Sequence, residues 1–289
     1  REKGEVMTAG EVEAYRTKNP VRVVTATSLF DGHDAAINIM RRIIQATGAE
    51  VIHLGHNRSV VDIVDAAIQE DVQAVAVSCY QGGHIEFFKY IVDLLKERGA
   101  ERTKVFGGGG GVIVPDEIRA LEAYGVAKIY SPEDGARMGL QGMINHLVES
   151  IDYPMVTEKT DFDLGDLKPQ DKGRVARLIT AVESAKARED GHLEGLRAEL
   201  ERKLAEGGAP VLGITGTGGA GKSSLTDELI LRFLLDIKDA TVAVLSVDPS
   251  RRRTGGALLG DRIRMNAIGD PRVYMRSLAT RGAQAEVSG

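Results

Sequence analysis

A single cysteine stands among the 289 residues, so no disulfide can close within the chain. That residue, Cys79, lies inside the apolar run AVAVSCY and reads as a small buried thiol in a reducing cytoplasm. Runs of 18 apolar residues are absent, which excludes a spanning helix by length, and no hydrophobic segment near the start has the form of a signal peptide. Blocks of like charge are missing too. The 42 acidic and 37 basic residues are interspersed and leave a net charge of −5, which argues against nucleic-acid or anionic-membrane binding through a basic patch. The chain opens at Arg1 instead of a methionine and closes on QAEVSG, and is expected to be a piece of a longer protein.

What is present is enough apolar material, 43%, for two ordinary cores. Residues 20–150 read as five repetitions of a short apolar run, a loop and a helical pattern, the runs being VRVVTATS, EVIHLG, AVAVS, KVFG and AKIY. Buried runs alternating with helices predict a flavodoxin-like, five-stranded parallel sheet covered on both faces. Right-handed crossovers then place each strand-to-helix loop on the carboxyl edge, where open α/β sheets bind ligands. His33 falls on that edge in SLFDGHDAAIN, two positions after Asp31, and so do Ser78 to His84 and the glycine run Gly107 to Gly111. An imidazole with a carboxylate in reach is a common structural pair as well as a common ligand pair. His53 and His56 of HLGH have no third ligand nearby, and zinc is not expected.

Residues 151–207 form a charged connector, expected to be helical, with Leu193, Leu196, Leu200 and Leu204 on one stripe. Such a helix serves either as a simple docked connector or as a lever between domains. Residues 208–289 then open a second α/β domain. The apolar stretch VLGIT, expected to be a strand, leads into Gly216, four residues, Gly221, Lys222 and Ser223, which is the full phosphate-loop pattern. Glycines there let backbone amides turn toward phosphate oxygens, and the amino end of the following helix adds a favourable field. Gly216, Gly218, Gly219, Ala220, Gly221, Lys222, Ser223 and Ser224 are the candidate nucleotide-binding residues, with Lys222 on the outer phosphates and the Ser223 hydroxyl on Mg²⁺. Asp248, at the end of TVAVLSV, and Asp261 are candidates for holding the same metal or its waters, and Arg251 to Arg253 for sensing phosphate.

The phosphate loop followed by VDPSRRRTGGALLGDRIRM and MRSLATRG resembles the MeaB-like GTPases, the G-protein chaperones of acyl-CoA mutases, over about residues 208–282. The resemblance implies GTP and GDP as ligands and places Asp248 and Asp261 near Mg²⁺. The later acidic metal segment and guanine-reading motif of those GTPases are not found in this chain. The first domain resembles the cobalamin-binding domain of mutases that take the cofactor with its lower base displaced, whose signature is Asp-x-His-x-x-Gly, Ser-x-Leu and Gly-Gly. Here Asp31, His33 and Ala36 are followed by 41 residues before Ser78 and Tyr80, and the glycine run starts at Gly107. Ala36 stands where glycine is usual and Tyr80 where leucine is usual, so the packing of the cofactor tail differs in detail.

The resemblance makes His33 the cobalt ligand and Asp31 its orienting partner. It puts Ser78, Tyr80, Gly107, Gly108 and Gly109 around the buried benzimidazole tail. The two domains in one chain resemble the isobutyryl-CoA mutases fused to their chaperone. That implies adenosylcobalamin, an acyl-CoA substrate bound by a barrel domain outside this chain, and a homodimer for the complete protein. The competing reading is a stand-alone corrinoid carrier or sensor whose G domain is a switch.

Overall fold

The computed structural model describes residues 12–157, 164–165, 167–188, 194–251 and 253–281. Leu193, Arg252 and Gly282, which the sequence reading uses, lie outside the described residues.

The five apolar runs become β1 (Arg22–Thr27), β2 (Glu50–His53), β3 (Ala74–Ser78), β4 (Lys104–Gly108) and β5 (Lys128–Tyr130), all parallel. β1, β2 and β3 are buried along their whole length, as strands covered on both faces must be. Their order across the sheet, β5-β4-β3-β1-β2, is the flavodoxin-like one, with the reversal of winding between β1 and β3. A sixth strand, β7 (Ala257–Leu259), comes from the far end of the chain and extends this sheet beyond β2.

One face carries α1 (Ala35–Ala46) and α5 (Pro132–Ser150), whose Ile44, Ile144, Leu147 and Val148 pack on Val23, Val51 and Phe106. The other face carries α2 (Val60–Gln69), α3 (His84–Glu97) and α4 (Pro115–Tyr124), with Ile63, Phe88, Ile91 and Leu121 against Val24, Val75 and Val105. Starts are written locally. Ser59 accepts from the Asp62 amide at 3.1 Å while Asp62 accepts from the Ser59 amide at 3.2 Å. Ser131 and Asp134 do the same for α5, where Pro132 takes the first turn. Gly139 interrupts α5 at φ 65°, ψ 173°, a backbone setting open to glycine.

Two helices, α6 (Lys172–Arg188) and α7 (Glu194–Glu206), follow. Leu196 packs with Val156, Leu164, Leu178 and Ala181, and Leu200 lies against the same cluster. Leu204 departs from the expected stripe and is 69% exposed, because the cluster ends one turn earlier. Beyond them α8 (Lys222–Asp236) covers a two-stranded parallel sheet of β6 (Val242–Asp248) and β8 (Val273–Ala279) through Ile230, Leu234 and Val273. The expected strand at VLGIT is not formed. Val211 and Leu212 are 94% and 76% exposed, and among the described residues no ladder pairs with them. A strand exists only where a neighbour offers its backbone groups, which apolar composition cannot guarantee. Among the described residues no helix is long and apolar enough to cross a membrane.

Candidate functional site

Strand register lines up the first site. Thr27 of β1 stands opposite Ser78 of β3, Ser78 opposite Gly108 of β4, and Gly108 opposite Tyr130 of β5. Segments far apart in sequence thus end in one row on the carboxyl edge, beside the switch point between β1 and β3. Just past β1, Asp31 is 3% exposed and takes three hydrogen bonds: from the His33 amide at 2.9 Å, from the His33 ring Nδ1 at 2.8 Å, and from the Tyr80 amide. Burial works to raise the pKa of the Asp31 carboxyl, but the two backbone bonds and the imidazole outweigh it and hold the group below its ordinary value.

An ionised Asp31 can only accept, so Nδ1 of His33 carries the proton and Nε2 keeps its lone pair. The His33 side chain is 74% exposed, and its ring lies 5.3 Å from that of Tyr80. The result is an oriented imidazole ready to donate to a soft or borderline metal.

Beside it opens a slot of about 340 Å³ between the sheet and helices α1 and α5, lined by Ser78, Tyr80, Gly108, Phe106, Met40 and Ile144 among others. The lining is apolar apart from a few hydroxyls, which suits a flat aromatic group with a polar end. The glycine run divides into two roles. A methyl group on Gly107 would lie 2.3 Å from the Phe88 ring, and one on Gly109 2.4 Å from the Cys79 carbonyl, so the protein's own packing excludes side chains there. A methyl on Gly108 would meet only the Tyr130 carbonyl, at 3.6 Å, and Gly108 faces the slot. Gly107 and Gly108 end β4 itself; they are not loop residues. Helix positions Met40, Ile144 and Leu147 were missed by motif reading; amphipathicity marks them only as core.

His53 is buried, Nδ1 at 2.9 Å from the Thr25 hydroxyl, and burial pushes its pKa down to about 4. Among the described residues no three metal-ligating side chains cluster.

The second site is open. Gly219 and Gly221 adopt φ 80° and 81°, and the Lys222 ammonium folds back onto the carbonyls of Gly216 and Thr217 at 2.7 and 3.0 Å. Gly218, Ala220 and Ser224 are exposed in the same loop and first turn. Ser223 donates to Asp261 at 3.3 Å, and Ser246 donates to the other oxygen of Asp261. Asp248 is brought to the same place. Its Oδ2 is buried without a hydrogen-bond partner, and burial first and the Asp261 charge second push its pKa up to about 6.

A hydroxyl, an orphaned carboxylate oxygen and a second carboxylate are a hard oxygen donor set, and a small divalent cation would relieve both the desolvation and the repulsion. These residues therefore fit Mg²⁺. Arg251 is exposed, and its backbone amide donates to the Gly256 carbonyl at 2.9 Å.

The B12 binding domain family model matches residues 21–139, and that of the methylmalonyl Co-A mutase-associated GTPase MeaB matches residues 175–289. The chain is 63% identical over 276 residues to fused isobutyryl-CoA mutase of Geobacillus kaustophilus, covering 95% of this chain and 25% of that one. It is 62% identical over 271 residues to the protein of that name from Cupriavidus metallidurans, covering 93% and 24%. Against the 2-hydroxyisobutanoyl-CoA mutase small subunit of Aquincola tertiaricarbonis the identity is 36% over 113 residues, covering 39% of this chain and 81% of that one. The chain thus spans about a quarter of the length of the fused relatives.

Proposed function

The chain belongs to the fused isobutyryl-CoA mutase family, and from that premise we propose that it is the part of such a mutase that holds adenosylcobalamin and a guanine nucleotide with Mg²⁺. In this reading residues 20–150 bind the corrinoid, 208–289 begin the GTPase, and 151–207 connect them. The complete protein, a cytoplasmic homodimer, interconverts isobutyryl-CoA and n-butyryl-CoA on a barrel domain outside this chain. When bound, adenosylcobalamin supplies a homolytically labile cobalt–carbon bond and with it radical carbon-skeleton chemistry.

The chain's own residues do the holding. His33 presents Nε2 to cobalt, and Asp31 fixes the tautomer and the ring direction. Ser78, Tyr80 and Gly108 receive the benzimidazole tail in the slot, away from water. Lys222 would hold phosphate oxygens, and Ser223, Asp248 and Asp261 would hold the metal. Hydrolysis of GTP gates cofactor loading. A stand-alone corrinoid carrier with a GTPase switch fits less well, because the relatives that match nearly the whole chain are mutases.

The observation that carries this reading is the buried Asp31 bonded to an exposed His33, whose ring lies 5.3 Å from that of Tyr80, a residue lining the apolar slot. The test is His33→Ala in the complete protein, with the absorption spectrum of bound cobalamin and ¹⁵N-histidine hyperfine coupling in the cob(II)alamin state. Loss of the protein nitrogen signal is expected; its persistence in the variant would sink the assignment.

A further inference from the structure

Asp261, one of the three groups read above as the Mg²⁺ site, stands on a segment that the cobalamin-binding unit grips on both sides. Before it, Gly256 passes so close to α1 that a methyl there would lie 2.0 Å from the Gln45 carbonyl, and β7 pairs with β2, Ala257 opposite Glu50 and Leu259 opposite Ile52. After it, the Ile263 side chain fills the space beside Gly55, which is at φ 82°. Between these holds, Arg262 turns inward, 6% exposed. Its Nε donates to Glu70 at 2.6 Å, and its Nη2 donates to Gln69 at 3.2 Å and to the Met275 carbonyl.

Glu70, just past the end of α2, is fully buried and collects donors from both units: Nη2 of Arg22 at 2.6 Å, Arg262, and the amide and hydroxyl of Ser277 at 3.0 Å. A buried carboxylate satisfied this completely has one arrangement, so it fixes the guanidinium that it holds. The neighbouring Asp261 then has little freedom in where it presents its carboxylate to Ser223 and Asp248.

We propose that Glu70, a residue of the cobalamin-binding unit, is a positioning residue for the Mg²⁺–nucleotide site of the GTPase unit, acting through Arg262 on Asp261. The proposal rests on reading Ser223, Asp248 and Asp261 as the metal-facing group. It makes the metal site incomplete unless the two units are docked, and so links the docking to the nucleotide's demand for Mg²⁺.

The experiment titrates MgCl₂ into the complete protein with a fluorescent GDP analogue at fixed concentration, for the parent, Glu70→Gln, Arg262→Met and the double variant. Melting curves establish that each is folded, and Lys172→Met is the control, since Lys172 of the connector helix α6 donates to the Val273 carbonyl of β8 and makes no hydrogen bond to the segment of Asp261. The expected result is a rise of about tenfold in the Mg²⁺ concentration for half-maximal binding in both single variants, no further rise in the double, and an unchanged midpoint in the control. Affinity for the analogue in EDTA stays at the parent's value. If Glu70→Gln does not fold, Arg262→Met carries the test alone. Unchanged midpoints in folded variants, or an equal rise in Lys172→Met, overturn the proposal. A parent whose binding needs no Mg²⁺ overturns the reading of the metal site and the proposal with it.

Discussion

The carboxyl edge of the first sheet and the phosphate loop are both glycine-rich, yet their polar groups are partnered in different ways. Around His33 the buried Asp31 is fully partnered: two of its donors come from His33 in the same loop and the third from Tyr80, brought beside it by the pairing of β1 with β3. In the second site the Lys222 ammonium bonds the loop carbonyls of Gly216 and Thr217, and Oδ2 of Asp248 is buried without a hydrogen-bond partner. In the proposed reading the difference follows from what each site holds. A large rigid tail gains from a dry slot formed in advance, because little ordering remains to be done on binding. A phosphate with its cation brings the charges that satisfy the loop, so the loop cannot be satisfied without them.

Three changes sharpen the contrast. The largest effect is expected from Lys222→Ala, which removes a charge-assisted contact to phosphate and weakens guanine-nucleotide affinity by about 10- to 100-fold while leaving cobalamin affinity in place. Calorimetric titration of both ligands checks it, and equal losses for the two would mean that the sites are not separable. Next is Gly107→Ala, whose methyl collides with Phe88 and Ile129 and lowers stability by roughly 1–3 kcal/mol in denaturant unfolding. Gly108→Ala should leave stability nearly unchanged and weaken cobalamin binding instead, since its methyl enters the slot. The reverse pattern would break the division of roles within the glycine run.

The smallest effect is a pH dependence. Asp248 titrates near 6 in the folded chain against 3.8 in the unfolded one, raised by burial first and by Asp261 second. A carboxyl shifted upward favours the folded state fully below its unfolded pKa and withdraws that contribution as pH rises through the folded pKa. Without Mg²⁺, the parent should therefore lose thermal stability relative to Asp248→Asn as pH climbs from 3.8 to about 6. Added MgCl₂ should restore the parent at pH 7 and leave the variant unmoved. Parallel melting profiles in the two proteins would show that Asp248 does not face the cation.

The amino-acid sequence by itself determined the parallel sheet and its five strands, because fully buried strands must be apolar and the loops between them must turn. It also determined the phosphate loop and the pairing of Asp31 with His33, where both residues lie within one short loop and local geometry suffices. Register was legible only in part: motif spacing marks Ser78 and Gly108, but their place in one row with Thr27 and Tyr130 depends on which strands become neighbours. Tertiary structure alone decided that VLGIT stays unpaired, that Gly107 is reserved for Phe88, and that β7 joins the sheet of the other unit. Glu70 is the clearest instance. In sequence it is one acidic residue at the end of a helix, and its burial under Arg22, Arg262 and Ser277 exists only because segments some 200 residues apart close on it, a contact that no local pattern encodes.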